Sequence, residues 1–329
     1  MTTRLGTATT KGGGQSAPLG VTPQRLPLTV RLRRLDPVVS PYLYIAPFFV
    51  IFLGFGLFPL AYTFYVSLNH WELGATTHQW VGFHNYTKLL ADSYFWNSLR
   101  NTGSIWVLST VPQLLAALGL AHVLNRRLRL RTLFRVGMVA PIVTSVVAVG
   151  IIFAQLFGRD FGLVNWLLHF IGIGPIDWQV GPWASHPAVS VMIFWRWTGY
   201  NALLYLAALQ AVPRELYEAA AIDGASSGQQ FRKITIPMLR PTIIFTVIVS
   251  TIYGMQVFAE PLMFDSNPGA LTGGASREFQ TVVMYLYENG WRNLQFGYAA
   301  AIAWLLFIVI VLFVILNYSL TRRIRSTHR

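Results

Sequence analysis

Runs of about 20 apolar residues recur six times along this chain, separated by polar stretches rich in arginine, glycine and proline. A helix needs roughly that many residues, at about 1.5 Å each, to cross the hydrocarbon core of a bilayer. The runs cover 42–68, 102–124, 134–157, 187–210, 240–264 and 296–318, and they predict six transmembrane helices in an all-α membrane protein. The first is apolar from Tyr42 to Leu60, longer than a secretory signal core and without a small-x-small cleavage site, so it is expected to be retained. The last, from Ala299 to Leu316, is the most uniformly apolar, whereas Arg196, Asn201, Gln256 and Glu260 interrupt the fourth and fifth. Residues 1–36 are rich in Thr, Gly, Ser and Arg and carry no apolar periodicity. They predict a mostly disordered tail ahead of a six-span domain over 37–320, with a short basic tail at 321–329.

Composition narrows the class. Of 329 residues 54% are hydrophobic and only 11% charged, against roughly 25% charged in soluble domains. A net charge of +13 would suit a nucleic-acid-binding surface, but the basic residues are not spread as such a surface requires. Of 25 lysines and arginines, 19 fall in the two tails and in the loops after spans two and four, all on one side of a six-span chain. The positive-inside rule then predicts both termini in the cytoplasm. There is no cysteine, and the seven histidines never form a close pair at metal-ligand spacing, so no metal site is expected. The chain has no phosphate-binding GxxxxGK[ST] loop, no nucleophile elbow and no paired intramembrane carboxylates, and a catalytic role is not expected.

The polar loop between spans four and five, Pro213 to Pro241, carries the most specific pattern. Pro213 suits a first helical position, Arg214 to Asp223 are mostly good helix formers, and Gly224 can take the left-handed conformation that ends a helix. Ser226 or Ser227, with Gln229 or Gln230 three residues on, offers a capping box for a second helix. Phe231 and Ile234 share a face of that helix, which Pro237 is expected to stop.

This loop resembles the EAA-x3-G-x9-I-x-L-P signature of binding-protein-dependent ABC importer permeases. The matching residues are Glu218-Ala219-Ala220, Gly224, Ile234 and Pro237, with Ile236 in place of the leucine. The likeness extends from about Ser40 to Arg325 and is greatest to carbohydrate-uptake permeases of the maltose-transporter type. Ser40-Pro41-Tyr42-Leu43-Tyr44-Ile45-Ala46-Pro47, Phe95-Trp96-Asn97-Ser98-Leu99-Arg100-Asn101-Thr102, Leu271-Thr272-Gly273-Gly274 and Phe296-Gly297-Tyr298-Ala299-Ala300-Ala301 carry it. Trp195 to Leu203 is similar to permeases for cellobiose and related β-glucosides from actinobacteria.

The resemblance implies a type I ABC importer permease fold in the bacterial inner membrane, with 213–241 as a coupling loop docked on a cytoplasmic ATPase. Glu218 would contact the ATPase electrostatically, Ala219 and Ala220 would allow close approach, and Gly224 would form the elbow. Asp223, Phe231, Ile234 and Pro237 complete the implied coupling set. It also implies the partners: a second, homologous six-span permease, two copies of the ATPase, which uses ATP and Mg, and an external sugar-binding protein. No cofactor bound by this chain itself is implied.

Polar groups inside a bilayer cost about 2.5–3.5 kcal/mol and usually face a cavity or a partner. In span four, Trp197, Asn201 and Tyr205 fall on one helical stripe, with Arg196 and Tyr200 on the next; in span five, Tyr253, Gln256 and Glu260 form another. Aromatic faces with amides and charges suit a neutral, hydroxyl-rich ligand such as a di- or oligosaccharide. Trp and Tyr also favour membrane interfaces, and polar residues can join helices without touching cargo. Arg196 and Glu260 are expected to pair, within the chain or with the partner permease. Two other functions stand beside a sugar importer: an ABC permease for another cargo such as glycerol-3-phosphate, and an ion-coupled secondary transporter. The first would call for several cations along the path, and the second would need no docking motif.

Overall fold

The computed structural model describes residues 28–72, 74, 78–125, 131–265 and 271–326. The chain divides into two units at Leu60. In chain order come α1 (Leu28–Phe52), a π-turn (Leu53–Leu57), α2 (Phe58–Ser67) and a two-stranded antiparallel ribbon, β1 (Asn69–His70) with β2 (Gln79–Trp80). After α3 (His84–Leu90) follow α4 (Ser93–Leu124), α5 (Arg131–Val143), α6 (Val146–Leu156), α7 (Leu163–His169) and α8 (Pro182–Gln210). The remainder is α9 (Arg214–Ile222), α10 (Ser227–Gln230), a π-turn (Phe231–Thr235), α11 (Ile236–Met255), α12 (Ala259–Phe264), α13 (Val282–Tyr287), a π-turn (Glu288–Arg292) and α14 (Phe296–Ser326).

Helix occupies each of the six expected spans. Four helices among the described residues are long and apolar enough to cross a membrane: Ser40–Ser67, Ser93–Leu124, Ser227–Met255 and Phe296–Ser319. The third expected span is a bent pair rather than one rod, with a 93° turn between Val143 and Val146. Pro141 removes a backbone donor just before the bend, and Ser145 leaves helical geometry with ψ at 129°. Thr144 bonds back to the Ala140 carbonyl through both its amide and its hydroxyl, which closes the end of α5. The fourth, α8, is 29 residues long but too polar to read as lipid-bathed.

Two boundaries move. The tail expected over 1–36 is helical from Leu28, where Leu28, Leu32 and Leu35 recur at helical spacing; residues 1–27 lie outside the described residues. The fifth span is displaced as well, because its helix runs unbroken from Ser227 through Pro237 and Pro241 and stops at Met255. Pro237 therefore does not end a helix. The widened turn at Phe231–Thr235 sits where the proline ring and its missing N–H would otherwise disturb the ladder.

α4 and α8 form the centre, and α5 closes on α8 at Gly199. A Cβ there would fall far inside contact distance of the Met138 carbonyl oxygen, so no larger residue fits this crossing. α4 extends nine residues beyond its expected start at 102 because Asp92 caps it, accepting the Tyr94 amide at 2.9 Å.

The Asp92 end is knitted by a polar network. Asn97 and Asn101 both donate to the carbonyl of Arg277, at 2.9 and 3.0 Å, and hold that residue at φ +62. The Arg277 guanidinium grips Glu288 with two bonds, of 2.6 and 2.9 Å, and bonds Gln280 at 2.7 Å. Thr102 accepts the Val282 amide at 2.9 Å. Gly274 gives its amide to Asp265 at 2.9 Å from a backbone at φ +89, a conformation glycine takes without strain.

Asp92 also accepts the hydroxyls of Tyr285 and Tyr298. Burial pushes its carboxyl up, but the bonds from Tyr285, Tyr298 and the Tyr94 and Phe95 amides outweigh this and hold it below the ordinary carboxylate range. Burial and the Asp92 carboxylate push the Tyr285 hydroxyl up to about 12, so it stays a donor. A depressed folded-state pKa stabilises above the unfolded value, about 3.9, and that contribution is lost as pH falls through the folded one. Asp92→Asn is expected to lower unfolding stability by about 1–3 kcal/mol at neutral pH. In thermal unfolding of both proteins in lipid nanodiscs, the difference should shrink below the carboxylate range. An equal gap at both ends of the pH scale would show that the charge is not what Asp92 contributes.

Candidate functional site

A cavity of about 260 Å³ opens between α4, α8 and α11, just under the usual size of small-molecule sites. α8 contributes Trp197, Tyr200 and Asn201, and α11 contributes Ser250, Tyr253 and Gly254. Gln256, Val257, Phe258 and Glu260 come from the segment that follows. The Trp197 and Tyr253 rings stack across the helix pair at 5.4 Å and 30°, and Tyr200 meets Trp197 edge-on at 6.1 Å. Five of the seven residues expected along a path, Trp197, Asn201, Tyr253, Gln256 and Glu260, line this one space.

Tyr253, Gln256 and Glu260 do not share a helical stripe. α11 ends at Met255, Gln256 and Phe258 leave helical geometry, and Glu260 lies in the first turn of α12. Thr281 accounts for the break by donating to the Val257 carbonyl at 2.8 Å, a bond from a distant loop that local sequence does not foreshadow. α12 then seats against α6, with Met263 filling the space over Gly150.

Tyr205 does not line the cavity. It is buried two turns further along α8, and its hydroxyl bonds Thr246 of α11 at 2.6 Å inside a cluster with Leu206, Leu209 and Leu239. Arg196 lies behind the wall and pairs within the chain, Nη1 to Glu260 Oε1 at 2.7 Å, both side chains about nine-tenths buried. Thr110 and Gln113 of α4 also line the cavity and were not expected. Gln113, a buried amide in the middle of a membrane span, carries the same signal as Asn201.

At the opposite end of α8 lies the helix–elbow–helix. Pro213 is the N-cap of α9 rather than its first residue, and Asp223 caps its other end. Gly224 takes φ +77; its amide bonds the Ala221 carbonyl and the Ala225 amide bonds that of Ala220, a Schellman closure. Ser226 opens α10 with a full capping box: its hydroxyl accepts the Gln229 amide, and the Gln229 side chain accepts the Ser226 amide. Both helix ends at the elbow are thus satisfied locally.

Glu218, Ala219, Asp223 and Gly224 are exposed, and Ile222 is 87% exposed, while Ala220 is half-buried. The inner side is tied down. The Tyr217 hydroxyl bonds Thr235 at 2.9 Å, Phe231 meets the His122 ring of α4 at 4.9 Å, and Ile234 packs into the Tyr205 cluster. Pro237 follows directly at the start of α11. The elbow therefore presents one free face while its other face is joined to α4, α8 and α11.

Residues 113–326 match the family described as binding-protein-dependent transport system inner membrane component. The chain is 36% identical over 288 residues to the lactose transport system permease protein LacF of Rhizobium radiobacter, covering 86% of this chain and 94% of that protein. It is 31% identical over 295 residues to the trehalose/maltose transport system permease protein MalF of Thermococcus litoralis, covering 90% and 97%. Among solved structures, a chain of a bacterial ABC transporter that imports the acidic polysaccharide alginate superposes with a TM-score of 0.73. That match has 22% identity and covers 90% of this chain and 99% of the other.

The Arg196–Glu260 pair yields a double-mutant test. Removing one partner of a buried pair leaves an uncompensated charge and costs about 3–5 kcal/mol. Arg196→Gln and Glu260→Gln should each lower unfolding stability on that scale, and the double variant should lose far less than their sum. Strict additivity in denaturant titrations would mean that the two groups do not interact.

Proposed function

The chain belongs to the binding-protein-dependent inner-membrane permeases, and from that premise we propose that it passes a neutral di- or oligosaccharide, cellobiose-, β-glucoside- or trehalose-like, through the cavity between α4, α8 and α11. It is a multi-pass inner-membrane subunit of a carbohydrate-uptake ABC importer, and its family is one of non-catalytic permeases. The observation that carries the choice of cargo is the cavity's lining. Trp197 and Tyr253 offer stacked faces for sugar rings, and Gln113, Asn201 and Gln256 offer amides for hydroxyls. Among the described lining residues no lysine or arginine stands ready for a phosphate, which speaks against glycerol-3-phosphate.

In this reading the translocating body spans 37–320, with both termini in the cytoplasm. A second six-span permease completes the path, two ATPase copies bind and hydrolyse ATP with Mg, and an external binding protein delivers the sugar. The loop 213–241 is the coupling element. Its exposed face, with Glu218, Ala219, Asp223 and Ile222, docks on the ATPase. Gly224 sets the angle, while Phe231, Ile234 and Pro237 pass the displacement to α4 and α11. Movement at the elbow then reaches the cavity through the helices that wall it, since Tyr205 and Thr246 fasten α8 to α11 between the two.

The test is sugar uptake by the complete importer in proteoliposomes supplied with binding protein and ATP. Trp197→Ala and Gln256→Ala should slow uptake of labelled disaccharide. Glu218→Lys and Gly224→Pro should bring it to background while the protein stays in the membrane. Unimpaired uptake by the first pair would overturn the path, and by the second pair the coupling role.

A further inference from the structure

Glu260 is the one charged side chain among the described residues that line the cavity. Its Oε1 takes a single bond from Arg196 Nη1, and Arg196 Nε is buried without a hydrogen-bond partner. A guanidinium is a planar fork suited to gripping a carboxylate through two donors. This chain uses the fork that way elsewhere: Arg277 holds Glu288 with two bonds inside the network at the Asp92 end. An arginine kept only to fasten α12 to α8 would be expected to close on its carboxylate likewise. Arg196 instead neutralises Glu260 and leaves an edge of its fork idle, one residue from Trp197 in the cavity wall.

We propose that Glu260 determines which oligosaccharides the cavity accepts: by occupying Arg196 it masks the cation that lies directly behind the wall, so neutral sugars pass and sugars bearing a carboxylate or sulfonate are rejected. The proposal rests on the cavity being the sugar path. An anionic sugar would enter beside a carboxylate of like charge, with the compensating cation already engaged behind it. A neutral sugar meets no such repulsion, and its hydroxyls find in Glu260 a charged acceptor. Without the Glu260 carboxylate, the Arg196 fork would have no anion of its own and would accept one from the ligand.

Cellobiose and cellobiouronate, which differ by one carboxylate, provide a matched pair of probes. Their binding to the complete importer in nanodiscs can be read from tryptophan fluorescence, Trp197 being in the wall. The wild type should favour cellobiose by about tenfold or more, the scale of one charge-assisted bond. Glu260→Gln should reverse that order, and Arg196→Gln/Glu260→Gln should abolish it. Wild-type binding of cellobiose with no gain for cellobiouronate in Glu260→Gln overturns the proposal alone. Failure of both sugars on the wild type overturns the sugar path and the proposal with it.

If Glu260→Gln proves unstable, chemical rescue supplies the readout. Acetate, but not acetamide, should raise the melting temperature of Glu260→Ala by filling the vacated place on Arg196, and should do nothing for Arg196→Gln/Glu260→Ala. Equal effects of acetate and acetamide would show that Arg196 takes no external carboxylate, and would sink the masking idea.

Discussion

In a bilayer a polar side chain that turns outward meets hydrocarbon, so the polar residues of α4 and α8 have to turn toward each other. Ser98, Asn101, Thr102, Ser109 and Gln113 of α4 are buried, as are Ser185, His186, Ser190 and Asn201 of α8. Some bond directly across the seam: Ser190 donates to the Ile105 carbonyl at 3.2 Å, and the His186 ring meets the Ser104 hydroxyl at 2.9 Å. Ala117, Ala121, Ala188 and Ala202, all fully buried, let the backbones come close. The other elements of this unit are placed by that seam. α5 crosses it at Gly199, α11 joins through Tyr205 and Thr246, and the 271–282 segment is clamped over one end by Asn97, Asn101 and Thr102.

What could be read in the sequence follows the range of the forces involved. The four long apolar helices were legible because crossing hydrocarbon imposes a length and an apolar content that each of them meets on its own, which the bent α5–α6 pair and the polar α8 do not. The elbow was legible for the same local reason, since Gly224 and the Ser226–Gln229 box lie within a few residues of the geometry they create. The break after Met255 was not. Gln256, Val257 and Phe258 contain no glycine or proline, and the bond that stabilises the break comes from Thr281, more than 20 residues away. Prolines alone were ambiguous: Pro141 precedes a 93° bend, whereas Pro237 and Pro241 sit in a continuous helix.

The candidate site shows the same division. Helical spacing groups Trp197 and Asn201, which both line the cavity, but also draws in Tyr205, which does not, because a stripe has no stated end and the cavity does. Gln256 and Glu260 reach the cavity through a broken helix, by a route different from the periodicity that singled them out. The pairing of Arg196 with Glu260 followed from the cost of a lone charge in a membrane, which is independent of helix phase. Energetic necessity located that pair more reliably than geometric pattern.

α4 has 32 residues, a rod of about 48 Å, against a hydrocarbon core of about 30 Å. Part of it therefore stands clear of the lipid as a rigid post, and the clamp on the Arg277 carbonyl is mounted on its first turns. A post of that length acts as an angular amplifier: pivoting by about 10° at its Leu124 end would sweep its Ser93 end through about 8 Å. Because Asn97, Asn101 and Thr102 bond backbone groups directly, the clamped segment would follow that sweep with little slack, and a small rotation at one surface of the bilayer would become a displacement of molecular size at the other.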